Sequence, residues 1–182
     1  MKEQLTSHKQ MLEYGILKPY SNIFGFSTTR HGGCGEGAYA TFNCTHYCGD
    51  SPEHVKTNLE SLAALLPERP RVIVVPRQTH TTNVRVITDV PTSEELQDVD
   101  AVVTHLKDFC LCVSTADCVP VLLYDKEKQV ITVYSSDDSL EDMEIEVLRY
   151  VKDSLLVRID GSIKEFNRNN DVPTPVSDVH DK

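Results

Sequence analysis

The sequence has no tryptophan, only 7% aromatic residues, and no apolar run near the roughly 20 residues that span a bilayer. Its first 17 residues also lack the apolar core and the small-residue cleavage site of a secretion signal. These absences argue against a membrane protein and against a secreted one. We therefore expect a cytoplasmic protein that makes no use of a membrane.

Basic residues are scarce relative to acidic ones, with 18 against 28 and a net charge of −10. A generic nucleic-acid-binding surface at that charge would repel phosphates, so no nucleic-acid partner is expected. The acidic excess is uneven, because residues 135–182 carry 12 acidic and only 6 basic side chains. The last quarter of the chain therefore differs in character from the rest.

The sequence also lacks any Cys-x-x-Cys pair, which argues against a structural four-thiolate zinc site for its six cysteines. Without a secretory context, in a chain this long, reduced thiols are expected rather than a disulfide scaffold. A hydrophobic fraction of 40% over 182 residues suffices for one globular domain that buries roughly two-thirds of its unfolded surface.

Local patterns predict one clear helix and many strands. Residues 51–66 open with Ser51 as an N-cap and Pro52 in the first turn, and their leucines recur on one face. Runs of β-branched and aromatic residues predict strands at 23–29, 71–80, 83–88, 100–105, 109–116, 119–125 and 129–134. So many strands with few helices favour an α+β fold with mixed sheets over a doubly wound one.

After Tyr134 the sequence becomes polar, and apolar residues then recur at helical spacing. The residues at that spacing, which predict a further helix, are Met143, Val147, Tyr150, Val151 and Leu155. The end of the chain is polar and contains proline, which is typical of disorder. We therefore predict a single domain over residues 1–160 and a polar, disordered tail over 161–182.

Four of the eight glycines fall between residues 30 and 39, which must form a loop. Arg30 and His31 stand at its start, and an arginine beside exposed backbone N–H groups can bind an anion or a phosphate. The alternative is a glycine-rich surface turn with a solvated Arg30. No Gly-Lys-Ser/Thr follows, so the loop is not a nucleotide-binding P-loop.

A second polar cluster, made of Arg77, Gln78 and His80, ends a predicted buried strand. Side chains from several elements converge at such strand ends, which makes the cluster a candidate site. A structural histidine held by hydrogen bonds is the competing interpretation of His80. The sequence alone leaves both interpretations open.

The third cluster places Asp117 next to Cys118 between two apolar strands. A buried carboxylate needs a partner, and its charge disfavours a thiolate beside it. A zinc ion would resolve this conflict by binding the thiolate, with Asp117 orienting a ligand or substrate. A protonated histidine would resolve it too, and would make Cys118 an activated nucleophile.

Five segments in order carry a resemblance to a known family: FSTTRHGG (26–33), FNCTHYCGD (42–50), PRQTH (76–80), VDAVVTH (99–105) and STADCVPVLLYD (114–125). Together they resemble the bacterial YfiH-like family, also labelled laccase-domain or multicopper polyphenol oxidase proteins. Its members are reported as purine nucleoside phosphorylases with adenosine deaminase activity. The resemblance implies a layered αββα sandwich with mixed β-sheets, similar to the cysteine-hydrolase fold of deamidating toxins.

The resemblance also implies a metal site. In the family a zinc, or a copper, is held by a histidine, a cysteine and a second histidine, and the first two correspond to His80 and Cys118. The second histidine belongs to a HAGWRG segment after the next strand, where this chain has Ser135 or a neighbour. Asp137 or Asp138 could supply an oxygen in its place, or His31 or His46 could reach the site from another loop.

On this resemblance we predict roles for six residues. Three are expected to be catalytic, and the first two of them to hold the metal: His80, Cys118 and Asp117. Arg30 is expected to bind phosphate or the ribose side, and Asn43 and Gln78 to orient the substrate. The expected ligands are phosphate and a purine nucleoside such as adenosine or inosine.

Two other functions would use the same residues. A metal-free Cys118–His80 thiol hydrolase, similar to a deamidase, needs no third ligand, and an inactive family member would act as a binding protein. A laccase mechanism is not supported, because the seven histidines include no His-x-His pair and no His-Cys-His run for a copper cluster. No coiled-coil pattern is present, so the oligomeric state stays open.

Overall fold

The computed structural model describes the backbone of residues 11–116, 118–136, 145–151, 154–159, 162–167 and 174–175, and the side chains of 11–116 and 118–135. The chain forms two compact units, Met1–Ile73 and Val74–Lys182. No helix among the described residues is long and apolar enough to cross a membrane.

In its described residues, the first unit contains a short hairpin, two 3-10 turns and one α-helix. Strand β1 (Met11–Glu13) pairs antiparallel with β2 (Phe26–Thr28). The 3-10 turns cover Gly15–Leu17 and Gly37–Tyr39, and helix α1 covers Pro52–Leu65. The glycine-rich loop predicted from the sequence lies between β2 and α1.

Helix α1 begins and ends close to the predicted bounds. The Ser51 hydroxyl accepts a hydrogen bond from the His54 N–H at 3.5 Å, and Pro52 occupies the first turn. Val55, which is 1% exposed, lies on the buried face. Asn58 lies fully buried on the same face, and its side chain bonds to backbone groups of the preceding loops. The helix is therefore fixed to those loops by polar as well as apolar contacts.

The strands that follow α1 include a mixed four-stranded sheet. They are β3 (Val72–Val74), β4 (Val84–Ile87), β5 (Ala101–Thr104), β6 (Phe109–Leu111), β7 (Val119–Asp125) and β8 (Val130–Ser136). The mixed sheet has the order β4–β5–β8–β7. Strands β4 and β5 are parallel, whereas β8 is antiparallel to both β5 and β7. Beside β6, the Cys112 N–H donates to the Val74 carbonyl of β3 at 2.9 Å.

Strand β5 carries much of the core of the mixed sheet. Ala101, Val102 and Val103 are all 0% exposed. Such a continuous buried run is typical of a strand that is covered on both faces. Each large apolar side chain buried in this way stabilises the fold by about 1.5–3 kcal/mol. The segments attached to the ends of β5 are therefore anchored to a firmly packed strand.

An antiparallel sheet follows β8 in the chain. Its strands are β9 (Ile145–Val151), β10 (Ser154–Ile159), β11 (Ser162–Asn167) and β12 (Thr174–Pro175). Their order is β12–β11–β10–β9, and the register of β9 against β10 shifts between Leu156 and Val157. Consecutive strands thus pair with each other throughout this sheet.

The helix predicted for this region is wrong. The predicted residues that the structure describes lie on β9 and β10: Val147, Tyr150, Val151 and Leu155. Met143 lies outside the described residues. Spacings of three and four residues indicated a helical face, but Ile145, Val147 and Val151 are β-branched, and such residues favour strands.

Strands β11 and β12 lie within the range 161–182, for which the sequence predicts a disordered tail. That prediction is wrong for the residues of these two strands, because pairing between strands satisfies the backbone of even a polar segment. The other residues of this range lie outside the described ones. The division into a domain over 1–160 and a tail stays a prediction, whereas the α+β class with mixed sheets is confirmed.

Candidate functional site

The mixed sheet brings four chain segments to one edge. Because β4 and β5 are parallel and β8 is antiparallel to β5 and β7, strands β4, β5 and β7 begin where β8 ends. We call this edge the site edge, and it consists of residues 77–83, 98–100, 118 and 135–136. It contains both predicted metal ligands, one before β4 and one before β7.

Strand register places Cys118 beside the end of β8. Val119, the first residue of β7, pairs with Ser136, and Cys118 directly precedes it. Ser135 is buried, and its backbone N–H donates to the Asp100 carbonyl at 3.4 Å. The position at which the family resemblance implies a second metal-binding histidine therefore lies at the site edge.

Asp100 is a buried carboxylate, 2% exposed, that directly precedes β5. Its oxygens accept the backbone N–H groups of Thr79 at 3.4 Å, His80 at 3.0 Å and Thr81 at 2.9 Å. The Thr81 hydroxyl donates a fourth hydrogen bond at 2.7 Å. Successive N–H groups that face one anion form a concave binding site, which a side chain of the protein itself fills here. The turn containing His80 is thus built around this carboxylate.

The His80 backbone has a φ of 61°, in the left-handed region that residues other than glycine rarely adopt. A conformation of this kind costs about 1–3 kcal/mol and persists only where the surroundings impose it. The hydrogen bond from the His80 N–H to Asp100 is one such constraint. His80 is exposed, so its imidazole lies at the surface of the site edge.

Gln78 connects the His80 turn with the segment that leads to Cys118. Its side-chain oxygen accepts the Ser114 N–H at 2.6 Å, across 36 residues of chain. The neighbouring Arg77 side chain instead bonds to Gln97 at 3.3 Å. The structure therefore brings together two of the three polar clusters that the sequence singles out.

The site edge also contains a half-buried thiol and a buried hydroxyl. Cys118 is half-buried at the start of β7. Among the described residues, the buried hydroxyl of Thr79 has no hydrogen-bond partner, although buried polar atoms are rarely left unpaired. Thr79 directly precedes His80, so this hydroxyl lies within the His80 turn. Asp117 lies outside the described residues, and its predicted role stays a prediction.

The glycine loop of the first unit folds tightly against the residues that follow it. The Arg30 carbonyl accepts the Phe42 N–H at 3.1 Å. A Cβ on Gly33 would lie 2.5 Å from the Thr41 carbonyl, so only glycine fits there. Arg30 is exposed, and no carboxylate of the described residues pairs with its guanidinium. This accessible cation suits an anion-binding role.

Asn43 has both ends of its side chain bonded within its own loop. Its Nδ2 donates to Asp50 at 3.1 Å. Its Oδ1 accepts the Thr45 N–H at 3.0 Å and the Thr45 hydroxyl at 2.7 Å. These bonds give Asn43 a structural role in residues 43–50, and its predicted contact with substrate stays a prediction.

Asp50, the last residue of that loop, is a second buried carboxylate, with 2% of its side chain exposed. The His54 Nδ1 lies 3.1 Å from its Oδ1, and the Ser51 N–H donates to it at 2.7 Å. Burial raises the pKa of the Asp50 carboxyl, but hydrogen bonds from Asn43, His54 and Ser51 together hold that pKa below its ordinary value. The carboxylate is therefore the stable form in this loop.

The predicted metal ligands suit zinc in kind. A neutral imidazole and a thiolate are two of the ligands that zinc prefers. Within the described ranges, no group of three His, Cys, Asp or Glu side chains could hold a metal ion. Ser135 is the next-to-last residue of β8, and both Asp137 and Asp138 lie outside the described residues. Of the ligands that the resemblance implies, the described part of the site edge therefore contains His80 and Cys118.

The fold and the site edge define an α+β protein in which one mixed sheet brings a histidine segment and a cysteine to the same edge. Residues 24–135 match the family described as multi-copper polyphenol oxidoreductase laccase. That match covers more than half of the chain, so the chain belongs to this family. The YfiH-like, laccase-domain membership predicted from the sequence is confirmed.

Curated relatives match a similar share of the chain. A Bacteroides thetaiotaomicron protein named purine nucleoside phosphorylase is 48% identical over 134 residues, which cover 70% of this chain and 50% of that protein. A prokaryotic protein of unknown organism, named adenosine deaminase RL5, is 37% identical over 125 residues, covering 65% of this chain and 48% of that protein. The chain spans about half the length of the curated relatives it matches.

Solved structures show the same fold. A hypothetical protein YfiH from Bacillus licheniformis aligns with a TM-score of 0.57 and 25% identity, covering 62% of this chain and 45% of that one. A Neisseria meningitidis protein of the DUF152 family aligns with a TM-score of 0.56 and 30% identity, covering 70% and 50%. Both likenesses agree with the α+β architecture described above.

Asp100 is the site residue that the sequence reasoning missed. A signal was present, because Asp100 stands directly before the apolar run of β5, and a carboxylate in such a position needs partners. Those partners are the backbone N–H groups of residues 79–81. Backbone groups leave no mark in the sequence, which is why the contact could not be predicted.

Proposed function

We propose that the chain carries out metal-dependent purine nucleoside chemistry, as a phosphorylase with adenosine deaminase-type activity on adenosine, inosine and related nucleosides. The observation that carries this proposal is that the His80 turn and Cys118 lie at the same site edge, before the two outer strands of the mixed sheet, with Gln78 bonded to Ser114 between their segments. The names purine nucleoside phosphorylase and adenosine deaminase, carried by two relatives, support the choice of reaction.

His80 and Cys118 would hold the metal, with zinc preferred and copper as the alternative. When bound, such an ion polarises an oxygen of the substrate or lowers the pKa of a bound water. Asp137 and Asp138 are candidates for a third donor after β8. Asp117, next to Cys118, would orient a ligand or the substrate.

The remaining residues would bind the substrate. Arg30 presents an accessible guanidinium beside a glycine-rich loop, which suits a phosphate or the ribose side of a nucleoside. Gln78 fixes the segment before Cys118 through Ser114, so it would orient the site as well as the substrate. Asn43 would also orient the substrate, and its hydrogen bonds would hold the 43–50 loop in place.

Phenol oxidation, which the printed family name describes, is not part of this proposal. The seven histidines include no His-x-His pair, so the sequence lacks the paired ligands of a copper cluster. Two donors at the site edge suit a single metal ion. The proposal therefore follows the names of the relatives rather than the family name.

The test is turnover by the full chain loaded with zinc. We expect phosphate-dependent release of the base from inosine or adenosine, or deamination of adenosine, and we expect both His80→Ala and Cys118→Ser to abolish it. Thr82→Ala, an exposed substitution in the same turn, is the matched control and should keep the activity. Equal activity in wild type and His80→Ala, or none in zinc-loaded wild type, would sink the proposal.

A metal-free Cys118–His80 hydrolase is the second candidate. It is favoured by one observation, that a histidine and a cysteine lie at the same site edge while no group of three possible metal ligands is found among the described residues. Metal analysis separates the candidates, because stoichiometric zinc with loss of binding in Cys118→Ser supports the first. Metal-free protein whose Cys118 is alkylated rapidly, with a pH dependence that His80→Ala removes, supports the second.

A further inference from the structure

We propose that Asp100 is the positioning residue of this site, because its carboxylate imposes the backbone conformation that presents His80 at the site edge. This inference rests on the proposed function in one respect, the role of His80 as a ligand. The control that Asp100 exerts on the turn is a property of the metal-free chain and can be measured separately.

In the described part of the chain, the charge of Asp100 is compensated by hydrogen bonds rather than by a basic side chain. The carboxylate is 2% exposed, and no Lys or Arg among the described residues pairs with it. Instead it accepts hydrogen bonds from three successive backbone N–H groups, at 79, 80 and 81, and from the Thr81 hydroxyl. Because backbone donors cannot turn away like a side chain, these bonds fix the orientation of three consecutive peptide groups.

His80 is the middle residue of the three that bond to Asp100, and its backbone is strained. His80 has a φ of 61°, where glycine or asparagine would be the unstrained choice. A histidine in this conformation needs contacts that hold it there, and the N–H to Asp100 bond at 3.0 Å provides one. The His80 imidazole is therefore presented on an exposed turn whose backbone conformation depends on the bond to Asp100.

Backbone hydrogen bonds also join Asp100 to two further residues of the site edge. Its backbone N–H donates to the Asn83 carbonyl at 3.1 Å, just before β4. Its carbonyl accepts the Ser135 N–H at 3.4 Å, at the end of β8 and beside the start of β7 in register. Asp100 therefore links the His80 turn to the segment before β4 and to the end of β8, the strand that pairs with β7 beside Cys118.

Both carboxylate oxygens are required by this arrangement, which makes asparagine an informative substitution. Oδ1 accepts only the His80 N–H, whereas Oδ2 accepts the Thr79 and Thr81 N–H groups and the Thr81 hydroxyl. An asparagine keeps the most bonds when its oxygen replaces Oδ2. Its NH₂ group then opposes the His80 N–H, so Asp100→Asn breaks the bond to the ligand residue selectively.

The experiment measures zinc affinity of the full chain by competition with a chromophoric chelator, well below the unfolding temperature. Asp100→Asn should weaken zinc binding about 10–100-fold, the range typical for residues that orient metal ligands. Asp108→Asn removes the same charge from an exposed residue outside the site edge, also at positive φ, and should leave the affinity unchanged. Thr104→Val, at the far end of β5, breaks the hydroxyl bond to the Ile87 carbonyl and should lower the melting temperature alone.

The second readout is amide hydrogen exchange at residues 79–81 in the metal-free chain. Asp100→Asn should accelerate exchange at His80, whereas Thr104→Val should not do so selectively. If Asp100→Asn does not fold, Thr81→Val keeps the carboxylate and removes one donor at 2.7 Å, with an expected loss of about threefold in zinc affinity. An unchanged affinity in that variant would overturn the inference as well.

The outcomes separate this inference from the proposed function. If wild type binds zinc and Asp100→Asn binds it equally well, or no worse than Thr104→Val, the positioning role is refuted while the metal site stands. If wild type binds no zinc, the proposed function fails, and amide exchange alone decides whether Asp100 imposes the turn. Unchanged exchange at His80 in Asp100→Asn would then refute the positioning role too.

Discussion

Two loops of this protein are each built around a buried carboxylate, and they use it differently. Asp100 bonds the main chain of the His80 turn, whereas Asp50 bonds side chains of its loop, including the His54 ring at 3.1 Å. In the second unit the carboxylate therefore fixes the conformation of a histidine residue. In the first unit it binds the imidazole itself.

Under the proposed function, this difference separates a loop that presents a metal ligand, the His80 turn, from a loop that stabilises the fold, residues 43–50. A carboxylate bonded to N–H groups sets the shape of the backbone and makes no demand on the imidazole. A carboxylate bonded to an imidazole occupies one of its two nitrogens. The His80 turn thus resembles a ligand-presenting element, whereas the Asp50 loop resembles a cap over the start of α1, which begins two residues later.

The largest expected effect comes from removing the carboxylate of the second unit. Asp100→Ala leaves the N–H groups of residues 79–81 without their acceptor, which we expect to destabilise the fold by about 3 kcal/mol. Denaturant unfolding of the metal-free chain measures this loss. A loss no greater than that of Asp98→Ala would show that the backbone-bonded carboxylate is not a structural centre.

A smaller effect is expected from the carboxylate of the first unit. Asp50→Asn should cost less stability than Asp100→Ala, because the His54 side chain is 32% exposed and can turn to solvent. Thermal unfolding of both variants at neutral pH tests this order. The reverse order would contradict the contrast between the two loops.

The contribution of the Asp50 carboxylate to stability should also depend on pH. The pKa of its carboxyl is held below the ordinary 3.8, so its contribution to stability is present above pH 3.8 and is lost as pH falls through the lowered pKa. Between about pH 6 and pH 3, the gap in melting temperature between wild type and Asp50→Asn should therefore narrow only at the acidic end. A gap that narrows already near about pH 6 would contradict a lowered pKa of the Asp50 carboxyl.

The smallest effect is expected at the helix cap next to Asp50. Ser51→Ala removes the hydroxyl that accepts the His54 N–H at a long 3.5 Å, but keeps the backbone N–H bond to Asp50. We expect a loss of about 0.5 kcal/mol in unfolding free energy, the low end for N-caps. A loss as large as that of Asp50→Asn would mean that the cap, not the carboxylate, holds this loop.

Elements set by local signals could be predicted from the sequence. Strand β7 covers the predicted residues 119–125, and α1 follows its predicted cap, because alternation and capping are local properties. The helix predicted around Val147 is wrong because the β-branched residues of this segment favour a strand. Pairing with β10 is a long-range contact that no local pattern contains.

The segments of the candidate site could be predicted from the sequence, but the contacts that support them could not. His80 and Cys118 stand in recognisable motifs, and the sheet places both segments at the site edge. The Gln78–Ser114 bond spans 36 residues and the His80–Asp100 bond spans 20. Both join a side chain to a backbone N–H group, and such contacts depend on the assembled sheet rather than on residue type.

The parallel pairing of β4 and β5 has a consequence for the order of folding. Parallel neighbours need a long crossover, so β5 can join β4 only after the intervening chain has returned to the same edge. The His80 turn lies before that crossover and Asp100 at its end, so the turn acquires its acceptor only when the two strands meet. Non-local closure of this kind is slow. We therefore expect the His80 turn to become ordered late in refolding, together with the sheet rather than ahead of it.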